Sequence, residues 1–167
     1  DWSSDVCSSD LPGNVKSAYV IMDTGDYSVM ERAKLDNDDL LAVCRASWGY
    51  DEIAVEMIQS YGMTVGIEVF ETCVTIGRIV EIAHASSKPL TRIKRQEVKL
   101  NLCHNSRAKD SNITQALVDR FAPGTRNMGK GTAKEPGWFY GFKADIWQAY
   151  AVGVTHLDRI AEVEAEK

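Results

Sequence analysis

The sequence predicts an α/β domain: a mixed central sheet whose antiparallel part comes first, flanked by helices. Three observations carry that expectation. Two β-rich segments joined by a turn signal precede any helical pattern, and from residue 52 onward short apolar runs alternate with stretches of 3.6-residue periodicity. No internal repeat, linker or change of composition divides the 167 residues, so residues 12–167 read as one domain.

Each element has its own signal. After the turn Pro12-Gly13-Asn14, residues 17–23 (SAYVIMD) are rich in β-formers and residues 27–35 (YSVMERAKL) alternate apolar and polar, with Gly25-Asp26 between them as a hairpin turn. Asp36 or Asn37 caps a short helix to about Ala46, its apolar face made by Leu40, Leu41, Val43 and Cys44. Residues 52–58 (EIAVEMI) read as a buried strand. A glycine-containing loop leads into a long helix over 65–85, carried by Val69, Cys73, Ile76, Val80 and Ala83. A strand over 90–94 and helices over 95–103 and 110–121 follow. Residues 122–141 hold five Gly and two Pro and read as a long loop, a kind that tends to be functional or mobile. The closing helix, 143–164, is apolar at Ile146, Ala149, Tyr150, Gly153 and Leu157.

Composition narrows the function classes. With 44% hydrophobic residues and a net charge of −5, the chain is neither a disordered tail nor a fibre. It contains no run of about 18 apolar residues, and its N-terminus lacks the basic start and apolar stretch of a signal peptide; a cytoplasmic location with no membrane partner is expected. The charge is divided: residues 88–143 carry twelve Lys or Arg against four Asp or Glu, a net +8, which leaves −13 elsewhere. A basic span inside an acidic protein is the form a nucleic-acid-binding face takes in sequence. The four cysteines form no CxxC pair and have no His at ligand spacing, so small buried hydrophobes are expected. His84, His104 and His156 read as structural or surface residues.

Residues 1–11, DWSSDVCSSDL, have no apolar period. They match, residue for residue, the translation of a common sequencing-library adapter. The expectation is a foreign segment fused to a truncated start and set aside, as a tag would be, when the fold is read, although backbone pairing alone lets Val6 to Leu11 fill a strand slot.

Two carboxylates stand out. Glu56, inside Ala54-Val55-Glu56-Met57-Ile58, falls where strand alternation buries it, and a buried carboxylate requires a partner: it reads either as a metal-ligand carboxylate at the end of a central strand or as an edge-facing or salt-bridged glutamate. Asp145 opens the last helix, where an acid suits the helix dipole, and from there it is expected to meet Glu56. Two carboxylates from separate elements beside a basic stretch suggest phosphodiester hydrolysis with divalent metal.

Glu56 in AVEMIQSYGM, the run VFETCVTIGR, VKLNLC followed by RAKDSNITQALVDRF, and KADIWQAYAVGVTH resemble the RuvC-type Holliday junction resolvases, particularly their phage-encoded branch, over residues 12–158. The resemblance implies an RNase H-like fold, a homodimer, cleavage of four-way or other branched DNA, and Mg²⁺, with Mn²⁺ as a substitute. It implies a metal site of a first-strand Asp in a pattern like G-I-D-P-G, the strand Glu, and acids in a D/H-x-x-D pattern opening the last helix. Glu56 and Asp145 match two of these. Leu11 stands where the first Asp belongs, with Asp10 one residue off, and Phe142 stands three residues before Asp145. Asp110 or Lys143 is the expected compensation, and Asp110 equally suits the cap of the helix it opens. Lys109 and Lys99 resemble the family's DNA-contacting basic residues, and Arg95, Arg107 and Lys143 join them as the expected DNA contacts. Trp138-Phe139-Tyr140 is either a wedge for unstacked bases or an anchor of the loop to the core. With the first Asp absent, a junction-binding protein without catalysis is the alternative; an ATPase of the same fold has no glycine-rich phosphate loop to support it.

Overall fold

The computed structural model describes residues 6–46, 50–59, 62 and 64–166, and for Val6–Leu11 the backbone alone. A five-stranded sheet is built from β1 (Val6–Leu11), β2 (Lys16–Asp23), β3 (Val29–Asp36), β4 (Glu52–Met57) and β5 (Leu90–Lys94), in the order β3-β2-β1-β4-β5. The first three strands are antiparallel, and β4 and β5 run parallel to β1. Helices α1 (Asn37–Ala46), α2 (Ile67–Ala85), α3 (Arg95–Cys103), α4 (Asp110–Phe121) and α5 (Ala144–Ala165) cover it. The expected mixed sheet with its hairpin first is therefore present, with element ends within two residues of those read from the periodicity.

Val6–Leu11, part of the segment read from the sequence as foreign in origin, fills the strand slot that backbone pairing alone was expected to leave open to it, at the centre of the sheet. Val6–Leu11 pairs with β2 on one side and β4 on the other. Two interior strands would otherwise leave rows of N–H and C=O groups without partners, and a backbone of any sequence can satisfy them. Residues 1–5 of that segment lie outside the described residues.

The sheet separates two cores. On one face Ala18, Val20, Met22, Ala54 and Ile93 pack against α5, α3 and α4; on the other Tyr19, Ile21, Ile53 and Val55 pack against α1 and α2. Residues 146–157 of α5 are buried without a break, as befits a helix covering the middle of a sheet. On α2 the buried face runs through Thr72, Thr75, Ile76, Ile79, Ile82 and Ala83, so Cys73, expected inside, is exposed; Cys44 is buried as expected. The buried stripe is rotated from the one expected, which leaves Ile67, Phe70 and Val74 in solvent. Asn37 ties the turn before β2 to the helices: its amide donates to Gly13 O at 2.9 Å and Thr75 Oγ1 at 3.0 Å. That turn brings Pro12 to the end of β4.

The long loop is ordered from within. A single 3₁₀ turn, Asn127–Gly129, and a bridge between Gly131 and Pro136 structure it. Phe139 and Phe142 are buried against Trp147 and Tyr150, and Trp138 stacks on Phe121. Of the two expectations for this aromatic run, the loop anchor is the one realised; Tyr140 alone is substantially exposed.

Candidate carboxylate site and nucleic-acid interface

Glu56 stands near the end of β4, level with Ile93 of β5, on the face that α5 covers. It lines a cleft of about 400 Å³ together with Pro12, Gln59, Arg95 and Lys99. Its side chain is 14% exposed, and Arg95 Nη1 lies 3.8 Å from Oε1. Burial pushes the Glu56 carboxyl above its ordinary range, Arg95 and Lys99 pull it down, and Asp110 pushes it up. An ion pair at such a distance contributes about 4 kcal/mol at an effective dielectric of 20, against several kcal/mol of lost hydration per buried ion. The upward direction follows from lost hydration, with the Asp110 carboxylate adding to it, against the two cations.

Arg95 is the hub. As the first residue of α3, directly after β5, it projects between β4, α4 and α5. Its Nη2 donates to Asp110 Oδ1 at 2.5 Å and to Gln148 Oε1 at 2.5 Å. Nη1 is buried and makes no hydrogen bond among the described residues. Asp110 lies in the first turn of α4, where Lys109 holds the cap position, so the expected capping role of Asp110 passes to dipole complementation plus the Arg95 pair.

Asp145 does not meet Glu56. Its carboxylate is paired with Lys34 of β3, at the far edge of the sheet, and the charges acting on Glu56 are those of Arg95, Asp110 and Lys99. Helical geometry explains the difference: a side chain one turn further along α5 is carried toward β4 and β5, and that residue is Gln148, only 8% exposed. Counting forward from Asp145 finds Gln148, whereas the sequence expectation counted back to Phe142, which is buried in the aromatic core.

Asp10 pairs by register with Tyr19 and Val55, which line the α1 and α2 face, while Leu11 pairs with Ala18 of the α5 face. A one-residue step reverses the face, so position 11 shares the register parity of Glu56. The Asp10 side chain lies outside the described residues.

The basic residues divide into groups. Lys99 shares the Glu56 cleft with Arg95, while Arg107 and Lys109 are exposed in the segment leading to α4. Lys143 lies elsewhere, in a groove with Arg32 and Lys34 beside β3. His156 is buried and bonded to Glu52 at 2.9 Å, whereas His84 and His104 are exposed.

Among the described residues no three Asp, Glu, His or Cys side chains come together as a metal-binding group. Glu56 and Asp110 both face Arg95 and Asp145 faces Lys34, so these side chains as placed do not fit the divalent ion that the resemblance implies. No described helix is long and apolar enough to cross a membrane.

No protein-family model matches the chain, and no curated protein does. Solved structures do. A Thermus thermophilus RuvC structure is similar with a TM-score of 0.66 at 13% identity, covering 93% of this chain and 96% of that one. T. thermophilus RuvC in complex with a Holliday junction substrate is similar with a TM-score of 0.65 at 12% identity, covering 91% and 92%. The chain therefore has the α/β fold of RuvC, in keeping with the RNase H-like arrangement expected.

Proposed function

We propose that this protein acts on branched DNA as the RuvC-type resolvases do, its intact form being a metal-dependent endonuclease that hydrolyses phosphodiester bonds at four-way junctions. The observation that carries this reading is the placement of Glu56: a mostly buried carboxylate at the end of an interior strand, in a cleft shared with Arg95 and Lys99, on a RuvC-like fold. One of the similar structures is a RuvC bound to a Holliday junction substrate, which supports branched DNA as the partner here. The exposed stripe of Ile67, Phe70 and Val74 on α2 supports a homodimer, since apolar side chains at i, i+3 and i+7 need a covering surface. A cytoplasmic site of action, in a bacterial host for a phage-encoded protein, suits such a substrate.

A second reading is favoured by a specific observation. The carboxylates of Glu56 and Asp110 already face a protein cation, and position 11 is Leu; the chain in its present sequence binds junctions without cutting them. Mg²⁺ or Mn²⁺ then belongs to a form with an acid at position 11.

Comparing the chain with its Leu11→Asp variant tests both readings. Preferential binding of a four-way junction over linear duplex in EDTA is expected of each, and cutting in Mg²⁺ of the Leu11→Asp form alone. Glu56→Gln must abolish that cutting. Equal affinity for junction and duplex would overturn both readings.

A further inference from the structure

We infer that the Arg95 guanidinium is the resident cation of an oxygen-lined site formed by Glu56, Asp110 and Gln148, and that it competes with divalent metal for that place. Three side-chain oxygens from three elements converge on it. Asp110 of α4 and Gln148 of α5 each lie 2.5 Å from Nη2, and Glu56 of β4 lies 3.8 Å from Nη1. Two carboxylates and one amide oxygen form the kind of donor set that hard divalent cations take. The protein fills it with a positive charge of its own, carried on the first residue of α3.

Two further facts point to a cation place rather than a simple salt bridge. Gln148 is 8% exposed and turns a neutral carbonyl oxygen to the guanidinium, so the set holds an uncharged oxygen ligand beside the two carboxylates. Arg95 in turn leaves Nη1 buried without a hydrogen bond among the described residues, so the guanidinium is an incomplete fit to the oxygens around it. An arginine selected for this pocket alone would satisfy both terminal nitrogens, as buried charged donors ordinarily are. The disagreement between an expected metal centre and the observed side chains is thereby resolved. The oxygens are present, and Arg95 stands where the metal would.

Manganese binding to the full chain, measured by calorimetry and by the Mn²⁺ dependence of the melting temperature, tests the inference. Arg95→Met keeps the apolar stem and removes the charge, and is expected to bind Mn²⁺ about tenfold or more tightly than the parent chain. Adding Asp110→Asn to Arg95→Met is expected to erase that gain. Equal Mn²⁺ affinity of parent and Arg95→Met, or a gain that survives Asp110→Asn, overturns the inference. Should Arg95→Met not fold, Gln148→Asp in the parent chain serves instead. An added carboxylate at that place must raise Mn²⁺ affinity over the parent, and no rise overturns the inference. Junction binding in EDTA by the same proteins separates this result from the functional reading: Mn²⁺ gain without junction preference defeats the function and leaves the site, and the converse defeats the site alone.

Discussion

Asp158 of α5 is a point where several elements are tied together. Its carboxylate accepts both terminal nitrogens of Arg120 at 2.8 Å, Asn101 Nδ2 at 2.7 Å and the Tyr27 hydroxyl at 3.1 Å. One side chain of α5 thus ties α3, α4 and the hairpin. Burial alone would raise its pKa, and the bonds from Arg120, Asn101 and Tyr27 reverse that, holding it below the ordinary 3.8. A carboxylate depressed in the folded state stabilises the protein above its unfolded pKa, and that stability is lost as pH falls through the folded value. Asp158→Asn is therefore expected to cost about 2 kcal/mol at neutral pH, a figure discounted because Arg120 is partly exposed. For a chain of this size that is a fall of about 4 to 8 °C in melting temperature. Thermal melts of both proteins across pH check it, and the gap must narrow below pH 3.8, where the parent loses the same charge. A gap that is constant down to pH 2 would refute the assignment. Glu97 acts similarly at smaller scale, its burial opposed by the Lys94 N–H and by Arg159 of α5.

At the level of elements, the loop over 122–141 owes its shape to glycine. Gly131 has φ +66°, and a Cβ there would come within 2.3 Å of Glu135 O and 2.4 Å of Gly137 N, both backbone atoms that cannot swing aside. Gly131→Ala is expected to destabilise by about 2 kcal/mol, readable as a lower urea midpoint at unchanged slope. A midpoint equal to the parent's would show that the bridge is dispensable. Much of the element order was legible in the sequence because period-two and period-3.6 patterns decide local structure. The hairpin, α4 and α5 are examples. Less legible were features set by partners distant in sequence. The buried face of α2 depends on where β4 and α1 fall, which is why Cys73 emerged outside. Whether Asp145 or Gln148 reaches the Glu56 side depends on the rotation of α5 about its axis, a quantity no single-residue pattern carries. The D-x-x-Q spacing was visible, and taking Asp145 as its first member would have found Gln148. Arg95 was legible as a basic residue of the right span, and its role among three oxygens was not. That role exists only where α3, α4, α5 and β4 meet.

For the whole molecule, the proposed function makes the division of charge the determinant of DNA binding, and the place of β1 at the centre of the sheet makes it the determinant of stability. Junction affinity is expected to fall steeply with salt, because the contacts available from residues 88–143 are to phosphates, and removing Arg107 and Lys109 together is expected to reduce the salt slope by about 2. An unchanged slope would place both residues off the DNA path. Stability poses the sharper question, since β1 is flanked by strands on both sides and its sequence is VCSSDL. Ser8 is level with Ile21 and Ile53, Ser9 with Val20 and Ala54, and Asp10 with Tyr19 and Val55. Those six neighbours are all 6% exposed or less. Strands in such a position are ordinarily near-continuous apolar runs, and a polar group moved there without matching bonds costs about 1 to 3 kcal/mol. Replacing Ser8 and Asp10 together by Val is therefore expected to stabilise the chain by about 3 kcal/mol, raising the melting temperature by about 6 to 12 °C. Asp10→Asn, which removes the charge and keeps the polarity, should give only part of that rise. Melting curves for the parent and the two variants decide the matter. If the Val form melts no higher than the parent, the central slot does not select for apolar residues, and the Ser and Asp of β1 belong to the native sheet.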